Sequence, residues 1–184
     1  TFMNAGGVAN TAKIACWDGS IWHALGTGLN GTVYAITVVG SNVYAGGGFT
    51  DAGGIGTADF IAFWDGSAWN ALGSVLNGLV WAMAVEGSNL YVVGYFYASV
   101  EFPNSDHIAR WDIATSTWHA LGTGLNERTT AIAVVGSDVY VGGWFTDAGG
   151  ISSADYIARW DTTTSTWNAL GSGLNDNVYA ITVE

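Results

Sequence analysis

An all-β fold of repeated, four-stranded antiparallel units is what this sequence predicts, and three observations carry that prediction. Trp17, Trp64, Trp111 and Trp160, each followed by Asp, stand 47, 47 and 49 residues apart. The "ALG" triplets beginning at Ala24, Ala71, Ala120 and Ala169 follow at 47, 49 and 49. Glycine is abundant, at 27 residues, and proline occurs once, with the glycines spread through every unit as tight turns require. A period of roughly 40 to 50 residues with glycine pairs and aromatics in each unit is that of β-propeller blades, and the 3.6-residue apolar spacing of helical repeats is absent. The expected architecture is a β-propeller built from about four four-stranded antiparallel blades, part of a larger or oligomer-completed ring.

Turn chemistry divides each unit into strands a to d. "VYAITVV" from Val33 and "NVYAGGGF" from Asn42 flank Gly40-Ser41, a two-residue hairpin loop with glycine first, as a type II′ turn requires. These are strands a and b. Strand c is "FIAFWD" from Phe60, joined through Asp65-Gly66 to strand d, "AWNALG" from Ala68. Two extra residues enter later units between the paired tryptophans, where "WDGSAW" becomes "WDIATSTW" and "WDTTTSTW", which is variation in loop length. The units read as strands c and d over 1–32, blades over 33–79, 80–128 and 129–176, and a further strand a over 177–184. Up-and-down order puts the a–b and c–d turns at one end of a blade and the longer b–c and d–a connections at the other.

Strand b occurs three times, against four copies of strands a, c and d, with Thr1-Phe2 as the stub of a first copy. An unpaired slot invites another strand, so the expectation is a slice of a larger propeller or a slot filled by a neighbouring chain.

Composition narrows the partners. The chain has 184 residues, 49% of them hydrophobic and 14% aromatic, enough for a real core. Four Lys and Arg against 15 Asp and Glu leave a net charge of −11, which repels phosphate backbones and anionic lipid. Nucleic acid and membrane insertion are not expected; cations, proteins or glycans fit better. Cys16, the single cysteine, has no intramolecular disulfide partner.

The order "TTAIAVVGSDVYVGG", then an aromatic on strand c, then "WDTTTSTWNAL", resembles the kelch repeat and the related propeller domain of the galactose oxidase family. The double glycine is Gly46-Gly47 and Gly142-Gly143; the second unit departs with Val93-Gly94, and Trp111 and its equivalents stand where the family has tyrosine. The resemblance implies a fold and is silent on activity, because propellers host enzymes, lectins and adaptors alike. A copper oxidase needs tyrosine, histidine and a cysteine-modified tyrosine on one metal, and Cys16, His23, His107 and His119 fall at positions not expected to converge. No catalytic residue is assigned. Cys16 is expected to face a neighbouring blade from strand c.

The recurrent residues read first as structure. Asp18 and Asp65 precede glycine in hairpin turns, where a short carboxylate bonds local amides. The eight paired tryptophans, demanded by every blade, read as largely buried packing. Irregular positions are where a partner is expected: Trp81 on strand a, Trp144 in place of Gly48 on strand b, and "FYASVEFPNSDH" from Phe96, which replaces "FTDAGGIGTADF". The candidate ligand-binding set is Glu101, Phe102, Asn104, Asp106, Trp144, Asp51, Asp147, Glu127 and Arg128, gathered from the b–c and d–a loops. Asp51 and Asp147 also suit calcium, although no stretch matches a known calcium loop; no other cofactor is expected.

The expected function is a non-catalytic extracellular or cell-surface recognition or scaffold module of bacterial type, binding a protein or glycan through the b–c and d–a loops. The alternatives are a purely structural repeat that self-associates through unpaired strand edges or acts as a spacer, and the propeller domain of a secreted oxidase or hydrolase.

Overall fold

The computed structural model describes residues 2–73, 76–97 and 103–183, and none of them is helical. The chain forms two compact units, Thr1–Leu79 and Val80–Glu184.

The first unit opens with a two-stranded hairpin, β1 (Cys16–Trp17) and β2 (Trp22–His23). A four-stranded antiparallel meander follows: β3 (Val33–Val39), β4 (Asn42–Gly47), β5 (Ile61–Trp64) and β6 (Trp69–Ala71). The second unit holds two such meanders. One runs β7 (Leu79–Glu86), β8 (Asn89–Tyr95), β9 (Ile108–Asp112) and β10 (Thr117–His119), with Leu79 at the boundary. The other runs β11 (Thr129–Val135), β12 (Asp138–Gly143), β13 (Ile157–Asp161) and β14 (Thr166–Ala169). Each sheet pairs its strands in sequence order, as expected of blades a-b-c-d.

The turns follow from their residues. Val39 pairs with Asn42 around Gly40-Ser41, and only the glycine has positive φ, at 60°, as a type II′ turn demands. In the c–d hairpin the loop proper is Gly66-Ser67 rather than Asp65-Gly66, because the Asp65 N–H already bonds the Ala68 carbonyl at 3.1 Å. The Asp65 side chain caps that loop, accepting from the Ser67 and Ala68 amides at 2.8 Å each. Asp18, Asp112 and Asp161 do the same in their hairpins. These bonds hold the carboxyls below the ordinary range: in Asp18 the His23 contact is the main cause, in Asp65 the Ala68 amide, in Asp112 the Thr115 amide and in Asp161 the Thr164 amide.

One backbone device recurs at the entry to strand c. Lys13, Phe60, His107 and Tyr156 occupy the same repeat position, each left-handed with φ between 62° and 68°. Their N–H groups donate to the carbonyls of Phe2, Phe49, Phe96 and Phe145 at 3.1, 2.9, 2.9 and 2.7 Å. Left-handed backbone costs a non-glycine residue roughly 1 to 2 kcal/mol, and this bond, with the burial of the accepting residues Phe49, Phe96 and Phe145, offsets it. Burying each such phenylalanine contributes roughly 1.5 to 3 kcal/mol.

Within each unit a tryptophan of strand d locks onto the "ALG" of the repeat before it. The Trp69 indole N–H donates to the Leu25 carbonyl at 2.8 Å, and Trp167 to Leu121 at 2.9 Å. Gly26 and Gly122 lie against the rings so closely that a Cβ on either would stand 3.1 Å from Trp64 or Trp160. Trp69, Trp111, Trp160 and Trp167 are buried, and Trp64 and Trp118 are partly so. Trp17 and Trp22 depart from the expected burial and are exposed. The Trp69 and Trp167 rings are covered by a leucine carbonyl and a glycine of another repeat, a cover that the Trp17–Trp22 pair lacks among the described residues. Cys16 is likewise exposed rather than packed.

The run 177–183, expected as strand a, joins no ladder among the described residues. It lies against β12, where the Val178 N–H bonds the Gly143 carbonyl at 3.2 Å and Val178 and Ile181 occupy the space beside Gly142.

Candidate functional site

In both units the d–a connection meets the b–c loop of the following blade. The Asn30 amide group bonds the Thr50 hydroxyl and backbone N–H, and the Asn30 N–H donates to the Asp51 carbonyl at 3.3 Å. Asn126 repeats this on Thr146 and Asp147. Asp51 and Asp147 use their own Oδ1 atoms to accept the Gly54 and Gly150 amides at 2.7 Å. Both carboxylates thus close turns, and the described residues draw together no group of three or more His, Cys, Asp or Glu.

The second unit concentrates its unusual residues at this end of its blades. Gly48 follows strand b directly in the first unit, but the same repeat position carries Tyr95 and Trp144 in the second. Gly143 makes room there, since a Cβ on it would lie 2.5 Å from the Arg128 carbonyl oxygen. That carbonyl accepts the Trp144 N–H at 2.9 Å, and the Arg128 side chain folds over the indole, its guanidinium carbon 3.6 Å from a ring centroid. The same guanidinium stands 5.8 Å from the Tyr95 ring. A bulge at Thr130, where the β11–β12 register shifts between Thr129 and Ala131, sets the strand entry beside Arg128.

Tyr95 is the hub of the cluster. It stacks on Trp81 at 6.3 Å and on His107 at 5.8 Å between centroids, and Tyr97 meets both Tyr95 and His107 edge-on. The Tyr97 hydroxyl donates to that of Tyr95 at 3.1 Å, which raises the Tyr97 pKa. His107 is fully buried, and burial pushes its pKa below the ordinary histidine value against the opposing pull of Asp106 and Glu127. Burial thus favours the neutral ring. Glu127 lies 3.8 Å from the Arg128 Nε, a half-exposed pair of little energetic weight.

Five buried side-chain polar atoms lack a hydrogen-bond partner among the described residues, and four belong here: His107 Nδ1, Arg128 Nε, Thr129 Oγ1 and Trp144 Nε1. Native proteins leave few such groups, so four in one neighbourhood flanking the exposed Tyr95 and Tyr97 set this end of the blades apart from the rest of the described residues.

Of the sequence-predicted residues, Trp144, Arg128, Glu127 and Asp106 come together here. Asn104 sits in the exposed turn just before Asp106, and the Asp106 carbonyl accepts the Leu125 N–H at 3.1 Å. Asp51 is in the first unit, and Asp147 is held in its turn. Glu101 and Phe102 lie outside the described residues. The candidate set left out Tyr95, Tyr97 and His107, although the last two lie in the irregular stretch from Phe96. Their signal was present as three substitutions in one unit, at the positions of Gly48, Thr50 and Phe60.

Of the cysteine and histidines weighed for a copper site, two do meet. Cys16 and His23 are directly paired across β1 and β2, since strands c and d are hairpin neighbours, and the His23 Nε2 lies 2.6 Å from Asp18 Oδ2. Asn70 bonds Asp65 at the equivalent place, so the Asp18–His23 contact is the repeat's own turn contact with one side chain changed.

No protein-family model matches the chain, and no curated protein does. Among solved structures it is similar to the computationally designed Ika4 protein, at 17% identity and a TM-score of 0.57 over 86% of this chain and 84% of that one. It is also similar to the designed Ika8 protein, at 18% identity and a TM-score of 0.53, over 83% of this chain and 40% of that one. With its all-β meanders and these likenesses to designed propeller proteins, the chain has a β-propeller fold.

Proposed function

We propose that this protein is a non-catalytic glycan-recognition module whose binding site is the Tyr95–Arg128–Trp144 cluster. The observation that carries the reading is the pair of exposed rings, Tyr95 and Tyr97, beside the part-exposed Arg128 guanidinium stacked on Trp144. A sugar offers both matching halves: a C–H face that stacks on the exposed Tyr95 and Tyr97 rings, and hydroxyls that accept from the part-exposed Arg128 guanidinium. The net charge of −11 favours a neutral sugar over a polyanion. In this reading the ligand is bound without a resident metal or cofactor, and the module works outside the cell. The kelch-like spacing of its glycine pairs and tryptophans supports the scaffold half of the assignment and leaves the ligand to the site.

The test is a glycan array followed by titration of the intact chain, read by intrinsic tryptophan fluorescence. Arg128→Ala and Trp144→Ala are each expected to weaken the best glycan by about tenfold or more, equivalent to about 1.4 kcal/mol, while the circular-dichroism spectrum stays unchanged. A folded wild-type chain that binds no neutral glycan overturns the proposal, as does binding indifferent to both substitutions.

A further inference from the structure

We propose that a pocket between the β7–β10 and β11–β14 sheets of the second unit binds a small monocarboxylate, with the Arg110 guanidinium as its anchor. The pocket shares no residue with the Tyr95–Arg128–Trp144 cluster, and the inference does not depend on the glycan reading.

Strand register builds one wall. Arg110 on β9 pairs with Tyr91 on β8 and with His119 on β10, so the three side chains form a row across one face of the sheet. The following sheet repeats that row as Tyr140, Arg159 and Asn168. The opposite wall comes from β13 and the turn after it, through Trp160, Thr162 and Ser165, and the two walls enclose a pocket of about 230 Å³. Tyr91 and Trp160 are buried, Arg110 and His119 are half-buried and Ser165 is exposed, so the pocket runs from the interior to the surface.

The two rows differ in the charge beside the arginine. Arg159 faces Asp138 at 3.2 Å, an ion pair that neutralises it. At the matching position Arg110 meets Asn89, whose Oδ1 accepts from the arginine Nη1 at 3.0 Å, and no ion pair among the described residues includes Arg110. Asp112, paired with Asn89 across the strands, is committed to the Ala114 and Thr115 amides. The pocket therefore holds a cation without a counter-anion, beside further donors. Tyr91 is one of them, because burial raises its pKa and keeps the phenol protonated; the Thr162 and Ser165 hydroxyls and the His119 imidazole are the others. The planar guanidinium fork matches the two oxygens of a carboxylate. The chain's net charge of −11 opposes any anion, and a dianion such as phosphate about twice as strongly as a monoanion. At roughly 30 Å³ per water-sized group the pocket takes about eight such groups, the size of a small organic acid whose body lies against the Trp160 indole.

The probe is sodium benzoate, titrated into the intact chain at constant ionic strength and followed by amide and indole N–H NMR shifts. Saturable shifts centred on Arg110, His119 and Trp160 are expected. Benzyl alcohol, of similar shape without the charge, and inorganic phosphate should each bind at least about tenfold more weakly. Arg110→Gln should weaken benzoate by about tenfold or more. Asn89→Asp, which gives Arg110 the carboxylate neighbour that Arg159 has in Asp138, should do the same with an unchanged circular-dichroism spectrum, and it decides the matter alone should Arg110→Gln fail to fold. A folded wild type without saturable benzoate shifts overturns the proposal. So do shifts confined to residues away from the pocket, equal binding of benzyl alcohol or phosphate, or an unchanged benzoate affinity in either folded variant.

Discussion

Arg128 and Trp144 hold each other twice: the Trp144 N–H donates to the Arg128 carbonyl at 2.9 Å, and the Arg128 guanidinium covers the Trp144 ring at 3.6 Å. The backbone bond fixes where the guanidinium starts, and the cation–π contact fixes where it ends. Only a planar cation keeps this stacking. Arg128→Lys should therefore preserve stability to within about 1 kcal/mol yet weaken glycan binding almost as much as Arg128→Ala, because lysine replaces a flat fork by a point charge. Paired urea-unfolding and fluorescence titrations check it; full binding by the lysine variant contradicts it.

The indole donors of the seam give a second prediction. Trp167→Phe keeps most of the ring but leaves the Leu121 carbonyl without its 2.9 Å partner, at a cost of about 1 to 3 kcal/mol. Trp111→Ala, at a buried position, should cost about 3 to 5 kcal/mol. Trp17→Ala, at an exposed one, should cost about 1 kcal/mol or less. Equal losses at Trp17 and Trp111 in chemical denaturation would contradict the burial pattern.

Glycine substitutions should separate close approach from mere flexibility. Gly143→Ala drives a Cβ to 2.5 Å from the Arg128 carbonyl and 2.7 Å from the Thr129 Cα, both backbone atoms, so the strand must move. We expect a loss of about 3 kcal/mol or more and a disturbed ligand site. Gly56→Ala meets nothing within 4 Å and has no positive φ, so it should be neutral or stabilising by up to about 1 kcal/mol. Thermal melts of the two variants suffice.

Acid should act in two windows. Burial makes folded His107 a poorer proton acceptor than in the unfolded chain, so between its depressed folded pKa and the ordinary value of about 6.5 the unfolded state binds more protons. That contribution is full above the window and is lost as the pH falls through it. The turn carboxylates Asp18, Asp65, Asp112 and Asp161 also have depressed folded values, so theirs is full above about 3.9 and disappears below it. His107→Phe, the side chain of Phe60, should remove the upper window and spare the lower. Urea midpoints followed from pH 8 downward would show a persisting upper step if His107 is not its source.

Legibility in the sequence followed how local each determinant is. The 47- to 49-residue period, the Gly40-Ser41 turn and the strand order depend on short-range chemistry and were read directly. The role of Trp144 was visible as a break in the repeat. Tyr95, Tyr97 and His107 broke it too, but their meaning lies in stacking between positions 95 and 107, which no spacing rule reports. The exposure of Trp17 and Trp22 was misjudged for a related reason. Repetition alone implies equal burial, whereas the cover over Trp69 and Trp167 comes from the preceding repeat rather than from their own.

The left-handed residue at the entry to strand c has a consequence for how such a protein diversifies. Its backbone conformation and its bond to a phenylalanine carbonyl are the same in all four copies, while the side chains are Lys13, Phe60, His107 and Tyr156. A cation, a hydrocarbon ring, an imidazole and a phenol are thus interchangeable on one mount. New specificity can accordingly arise by exchanging a single residue beside the loops, with no shift of strand register and no insertion, so neighbouring blades of one scaffold are free to acquire different chemistries independently.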